Sequence, residues 1–280
     1  MKAIDVHVHP GTKEDIIDAG GKYLEDALKY FGKKPEPITI EELAQQYQSL
    51  DIFGVLLAWD AQTNTGLPPL SNDYIANIVS KYPKTFMGFA SVDPWKGKAA
   101  VEELARAVKD LGLRGVKFQQ AAQGFTPNDR RFYPIYEKCA ELGIPALFHV
   151  GHTGYGAGAP GGDGIKLKYV RPIYLDDVAA DFPELTIIAA HPAWPWQEEM
   201  LSIAMHKGNV YMDLSGWSPK YFPASLVQYA NTFLQDKCLF GSDHPYVTPG
   251  RWLADFEKIQ MKPEVKEKIL LKNAQKLFGL

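Results

Sequence analysis

Seven histidines are spread along this 280-residue chain, and several of them fall at the ends of short apolar runs. His7 and His9 sit at the end of the run Ile4–Val8. If that run is a strand, side chains two apart point the same way, so the two imidazoles converge on one point. His149 ends the run Ala146–Val150, His191 follows Thr186–Ala190, and Asp243 and His244 follow Cys238–Phe240 in Phe-Gly-Ser-Asp-His-Pro. Each has a bland reading alone. An HxH can be a surface or core pair, His149 a satisfied core histidine, and Asp243 a helix N-cap. Scattered structural histidines have no reason to gather at strand ends with an acid after the last strand. The set therefore points to one divalent metal ion held by His7, His9, His149 and Asp243. Three imidazoles and a carboxylate suit Zn²⁺ first, with Mn²⁺, Fe²⁺ or Co²⁺ also compatible. A further position is left for water or substrate, and water on such an ion ionises near neutral pH. His191 is then cast as a general acid/base or electrophile beside the metal. Asp243 both ligates and accepts a proton.

Something must hold these groups together, and the chain supplies it in a repeating rhythm. Turns containing Gly or Pro at 81–84, 111–115, 142–145, 182–185 and 207–209 are each followed by a short apolar run. The runs are Phe86–Ser91, Val116–Phe118, Ala146–Val150, Thr186–Ala190 and Val210–Leu214. With Ile4–Val8, Gly54–Trp59 and Cys238–Phe240 they make eight strand candidates. Amphipathic helices are expected over Glu41–Leu50, Asp73–Lys81, Ala99–Leu111, Phe132–Leu142, Leu175–Asp181 and Trp196–Met205, with a closing helix over Pro263–Gly279. Continuous apolar strands alternating with helices mean a parallel sheet covered by helices. Eight units suggest an α/β fold of the closed (β/α)₈ TIM-barrel kind, one domain over residues 1–280. A doubly wound open sheet is the competing architecture. Residues 10–40 and 151–172 break the rhythm as long excursions after strands one and five, at the end where barrel enzymes build their sites.

Composition narrows the function classes. The hydrophobic fraction of 46% supports a large core, and the net charge of −3 comes with no basic block that would track phosphates, so nucleic acid is not an expected partner. The longest apolar runs have strand length and cannot span a bilayer. Acid and imidazole groups appear in Met-Lys-Ala-Ile-Asp-Val-His, where a signal peptide needs its apolar stretch. Two cysteines, Cys139 and Cys238, form no CxxC pair, and a cytoplasmic protein is expected. Cys139 reads as core. Gly156, Gly158 and Gly161 satisfy G-x-G-x-x-G, but no helix opens directly after them, so they read as freedom for a loop to close. The absence of a G-x-S-x-G elbow disfavours a serine hydrolase.

With these motifs in place, the chain resembles the amidohydrolase superfamily. Within it, the chain is similar to the amidohydrolase-2 branch related to aminocarboxymuconate semialdehyde decarboxylase. The residues that carry the resemblance are Asp-Val-His-Val-His at 5–9, Ser-Val-Asp-Pro at 91–94, Arg-Gly-Val-Lys-Phe at 114–118, Gly-Ile-Pro-Ala-Leu-Phe-His at 143–149, Ala-Ala-His-Pro at 189–192 and Phe-Gly-Ser-Asp-His-Pro at 240–245. The resemblance implies a (β/α)₈ barrel with a mononuclear site, the same four ligands, and His191 catalytic beside the metal. It implies two chemistries: hydrolysis of lactones, esters or C–C bonds, and non-oxidative decarboxylation of aromatic or muconate-type acids. Several members act as dimers, so a homodimer is the assembly it allows. The decarboxylase pattern wants a cation near strand two, where this chain has Ala58-Trp59-Asp60. Arg171, Arg251 or Lys166 would have to substitute from loops.

Other residues keep two readings. Lys117 ends strand four, where some superfamily members carry a carboxylated lysine bridging two metals; its plainer role is a structural ion pair or hydrogen bond. Gln119 shares its face and is placed to reach substrate. Trp59, Trp194 and Trp217 lie beyond strand ends and either wall a flat substrate pocket or pack under loops. His152 touches substrate or caps a loop, and His206 meets a helix dipole. The leading expectation is a metal-dependent hydrolase of a small ring-containing or acyl carboxylate, lactone, ester or β-keto compound. The rivals are a carboxy-lyase on the same metal and a catalytically silent barrel used for binding.

Overall fold

The computed structural model describes residues 1–34 and 36–280; Pro35, inside the first excursion, lies outside the described residues. Strands β1 (Ala3–Val8), β2 (Ile52–Leu57), β3 (Phe86–Ser91), β4 (Val116–Phe118), β5 (Ala146–His149), β6 (Ile187–Ala190), β7 (Val210–Asp213) and β8 (Cys238–Leu239) lie side by side in chain order. Every neighbouring pair is parallel. Val6 N donates to the Phe240 carbonyl and Asp243 N to the His7 carbonyl, both at 2.9 Å, which joins β1 to the chain leaving β8. The result is a (β/α)₈ barrel. An open doubly wound sheet would reverse its strand order at a switch point, and no reversal occurs here.

Strand ends fall close to those expected from the apolar runs. β2 stops at Leu57 because Trp59 leaves the ladder and bridges Leu70 instead, with its N–H 3.0 Å from that carbonyl. Helices occupy Ile40–Leu50, Asn72–Lys81, Lys98–Lys109, Tyr133–Leu142, Ile173–Asp181 and Gln197–His206. A capping box starts the first of these: Glu42 N donates to Thr39 Oγ1 (3.2 Å) while Thr39 N donates to Glu42 Oε2 (2.7 Å). Three details depart from expectation. The first excursion contains a helix, Gly21–Tyr30. Two further helices, Ala224–Ala230 and Pro249–Glu257, fill stretches whose periodicity is too short to read. The C-terminal helix is interrupted by a π-turn at Lys268–Lys272 before ending as Asn273–Phe278.

Two apolar layers hold the barrel. Outside the strands, Val116, Phe118, Phe148, Ile187 and Phe240 pack against helix residues such as Leu43, Ile75, Leu104 and Trp252. Inside, Ile4, Val6, Val55, Leu57, Phe89, Leu147, Ile188 and Leu239 fill the lumen. Each such side chain contributes roughly 1.5–3 kcal/mol by leaving water. Phe278 closes the amino end of the lumen, edge-on to Phe89 at 5.8 Å. Among the described residues no helix is long and apolar enough to cross a membrane.

Candidate metal centre

An irregularity in β1 aims the first two side chains of the site. Ile4 and Val6 face the lumen, so strict alternation would turn His7 outward. Between Asp5 and Val8 the register slips: Asp5 pairs with Gly54, but Val8 pairs with Leu56. Three steps along β1 thus match two along β2, a β-bulge of the kind that re-aims side chains. His7 is brought inside while Val8 packs outside. Asp5 fixes the neighbouring turn, accepting from the Tyr47 hydroxyl (2.8 Å), Ser242 N (2.8 Å) and His7 N (3.2 Å). Its burial pushes the carboxyl up to about 7.

At the carboxyl end of the lumen, His7 Nε2 lies 3.3 Å and His9 Nε2 3.6 Å from Asp243 Oδ1. These three ligand atoms all fall within 4.8 Å of one another. Their chemistry fits a divalent ion. His7 Nδ1 donates to Asp213 Oδ2 at 2.6 Å, which leaves the Nε2 lone pair facing the cluster. Burial, with neighbouring positive charge, holds His7, His9 and His149 well below the ordinary imidazole range, so they stand ready as neutral donors. Lys117 competes for the same lone pair. Its Nζ lies 3.1 Å from His7 Nε2, a hydrogen bond that would have to yield to an ion at that nitrogen. Burial lowers the Lys117 amine and raises the Asp243 carboxyl.

The structure gathers three of the four expected ligands into that cluster and holds the fourth beside it. His149 Nδ1 lies 3.0 Å from His191 Nε2, and its Nε2 is 3.2 Å from the His152 carbonyl. His191 Nδ1 in turn meets Ser215 Oγ at 3.0 Å, and Ser215 Oγ meets Asp213 Oδ2 at 3.0 Å. A polar chain therefore runs round the mouth from His7 through Asp213, Ser215 and His191 to His149. Burial draws His191 down to about 4 and Asp213 up to about 6. His191 and Asp243 have φ of 77° and 63°, left-handed conformations that cost non-glycine residues about 1–3 kcal/mol each. Gly216 has no room for a side chain: a Cβ there would come within 2.6 Å of His191 Nδ1 and 3.1 Å of Asp243 Oδ2.

Above this floor opens a cavity of about 680 Å³, the size of a small-molecule site. Trp59, Lys117, Gln119, His152, Trp194 and Trp217 all line it. Trp59 stands edge-on to His9 at 6.1 Å and against Tyr155 at 5.3 Å. Gln119 spends its amide locally, donating to Thr153 Oγ1 (2.7 Å) and accepting from Ala122 N (2.9 Å). The two excursions meet over the cavity: Tyr23 stacks on Tyr155 at 4.8 Å, Lys22 pairs with Asp163 at 3.0 Å, and Gly156 N donates to the Tyr23 carbonyl.

Sequence reasoning passed over Asp213, Ser215, Tyr155 and Lys33. Asp213 had a readable signal, an acid at the carboxyl end of a strand, the same position that singled out the histidines. Of the loop cations considered, Arg251 lines the cavity and Arg171 is tied to Glu199 at 2.9 Å; Lys166 is not among the lining residues. His206 ends its helix in an exposed position, and Cys139 and Cys238 are buried free thiols.

Known proteins share both the sequence pattern and the architecture. A 2-amino-3-carboxymuconate-6-semialdehyde decarboxylase of Dictyostelium discoideum is 35% identical over 78 residues, 28% of this chain and 22% of that protein. A 2-keto-4-carboxy-3-hexenedioate hydratase of Sphingobium is 33% identical over 132 residues, 43% of this chain and 38% of that protein. The matched stretches thus span well under half of either relative. A TIM-barrel protein of Bordetella bronchiseptica superposes with a TM-score of 0.84 at 26% identity, covering 100% of this chain and 99% of its own. A manganese-bound 5-carboxyvanillate decarboxylase of Novosphingobium aromaticivorans shares the fold, with a TM-score of 0.73 at 18% identity and coverage of 99% and 96%. The sequence model of the family described as Amidohydrolase matches residues 4–280, from β1 to the last residue, and the chain belongs to that family.

Proposed function

We propose that this chain is a metal-dependent hydrolase of a small conjugated carboxylate, lactone, ester or β-keto compound, with one divalent ion held by His7, His9, His149 and Asp243. The observation that carries this reading is the convergence of His7 Nε2, His9 Nε2 and Asp243 Oδ1 at the floor of an aromatic-walled cavity. A bound ion supplies Lewis acidity toward a carbonyl oxygen and lowers the pKa of water. The chain's own residues do the rest. Asp213 holds His7 in the tautomer that offers Nε2. Asp243 keeps its second oxygen, Oδ2, toward the space beside Gly216 and His191, where it can take a proton from an attacking water. His191 Nδ1 faces the Ser215 carbonyl, so neutral His191 keeps a bare Nε2 that could take the water-derived proton from Asp243 and pass it to the leaving atom; its release of His149 would free His149 Nδ1 for an ion. Trp59, Tyr155 and Trp217 line the cavity and suit it to a ring or conjugated system.

Decarboxylation on the same ion is the second reading. It gains from Lys33 and Arg251, cavity residues that supply the cations missing from the end of β2, and from the decarboxylase among the relatives. One experiment separates the two. Metal-loaded protein is offered lactones, esters, β-keto thioesters and phenolic acids in H₂¹⁸O. Label in the product supports hydrolysis. Release of CO₂ with no label in the organic product overturns it in favour of the carboxy-lyase, since CO₂ itself exchanges its oxygen with water.

A further inference from the structure

We propose that Asp15 sets substrate specificity: its free oxygen, Oδ1, accepts a hydrogen bond from a hydroxyl or ammonium group that the substrate carries away from its reacting atom. The proposal deepens the reading above and rests on it only for the cavity being the place where substrate binds.

Four carboxyl groups are buried among the described residues: Asp5, Asp15, Asp93 and Asp213. Three of them bond through both oxygens. Asp5 takes His7 N and Ser242 N on Oδ1 and the Tyr47 hydroxyl on Oδ2. Asp93 takes Trp95 N on Oδ1 (3.0 Å) and Thr63 N on Oδ2 (2.7 Å). Asp213 takes Ser215 N on Oδ1 (2.8 Å), and His7 Nδ1 and the Ser215 hydroxyl on Oδ2. Asp15 differs. Gly11 N donates to its Oδ2 at 2.8 Å, and among the described residues no donor reaches Oδ1. Of the four, Asp15 alone lines the cavity, where it is 7% exposed. A buried acceptor without a donor costs free energy, and one set into the wall of a binding cavity recovers that cost when a ligand brings the donor.

The surroundings offer no cation to take the donor's place. The charged neighbour that acts on Asp15 is Glu14, which itself accepts from the Tyr74 hydroxyl at 3.1 Å. Burial holds the Asp15 carboxyl up to about 6 against the Gly11 bond that lowers it, so the accepting form prevails near neutral pH. The next residue, Ile16, packs with Leu24, Leu28 and Tyr246, and a hydrogen bond made beside such an apolar cluster is stronger than one made in water. The carboxyl is also fixed in advance. Its own carbonyl accepts from Gly20 N (2.9 Å), and the Gly11 carbonyl accepts from Ile38 N (3.0 Å), so both ends of the Gly11–Asp15 turn are tied. Little ordering is left to be done when a ligand arrives.

The test uses three probes of similar shape on manganese-loaded protein, read by the fluorescence of the cavity tryptophans: benzylamine, benzyl alcohol and benzyl methyl ether, the last of which has no donor. At least one of the first two is expected to bind about tenfold or more tighter than the ether, and the better of them identifies ammonium or hydroxyl as the group recognised. In Asp15→Asn the amide oxygen is still claimed by Gly11 N, so the amide nitrogen, a donor, faces the cavity; the preference should vanish or turn toward the ether. Asp15→Ala should bind all three probes within about twofold of one another. No preference in the wild type, or a preference that survives both substitutions in folded protein, overturns the proposal. Metal content measured on the same preparations tests the reading above separately. Protein that takes up no divalent ion yet keeps the Asp15-dependent preference sinks the metal reading alone, and protein that holds the ion without the preference sinks this proposal alone.

Discussion

At the amino ends of its strands the lumen holds Ile4, Val6, Val55, Phe89 and Leu147, plugged by Phe278. At the carboxyl ends it holds His7, His9, Lys117, His149, His191, Asp213 and Asp243. The separation is small. Leu147 and His149 stand one strand period apart on the same face of β5, and Tyr211 and Asp213 stand the same way on β7. The lower end is a packing problem, solved by volume, and its tolerance is set by cavities. The upper end is a pairing problem, in which buried polar atoms need partners, two residues sit in strained backbone, and Gly216 cannot be enlarged. A single pair of strand positions therefore separates residues that stabilise from residues that can react.

Substitutions at the two ends should separate along that line. The largest effect is expected from Asp243→Ala, which should lose metal and bring turnover to background while circular dichroism and melting change little; wild-type metal content and turnover would remove Asp243 from the ligand set. His191→Asn should keep the metal and lose most turnover, and metal loss there would make His191 a ligand. At the other end, Phe278→Ala should cost about 3–5 kcal/mol of unfolding free energy with kcat preserved, checked by urea titration; a matching loss of kcat in the folded fraction would show that the ends are coupled. Asp15, buried in the first excursion, has its carboxyl pushed up by burial from 3.8 to about 6. The fold favours its neutral form, so its contribution to stability is present below the lower value and lost as pH rises through the upper one, roughly 3 kcal/mol at most. Asp15→Asn should flatten urea midpoints across that window, and an unchanged slope would assign the drift to other groups. The smallest effect is expected from Asp213→Asn, which should weaken metal binding about 10–100-fold in chelator competition by releasing His7; unchanged affinity would deny Asp213 its positioning role.

The lower end and the strand order were legible in the sequence because apolar runs, turns and helical periodicity are local properties. The position of the site was legible too, since His7, His9, His149, His191 and Asp243 all follow apolar runs. Three things were not. The β1 bulge depends on pairing with β2, and Asp5-Val6-His7-Val8 gives no sign that one residue will be left over. The pairing of His149 with His191 follows from the distance between β5 and β6, which spacing along the chain does not carry. The contact of Asp213 with His7 spans 206 positions and exists only because the sheet curls round to bring β7 near β1. The helix Gly21–Tyr30, by contrast, was readable by the local rule, because Tyr23, Leu24, Ala27 and Leu28 form an apolar stripe at helical spacing within the first excursion.

The two excursions are fastened to each other by the Tyr23–Tyr155 stack, the Lys22–Asp163 pair and the bond from Gly156 to Tyr23. These contacts form one latch shared by both excursions on that side of the cavity, so a substitution in either one weakens it. Weakening the latch from either strand's loop should therefore quicken the same step, the release of product, and make two sites far apart in the chain behave as one hinge.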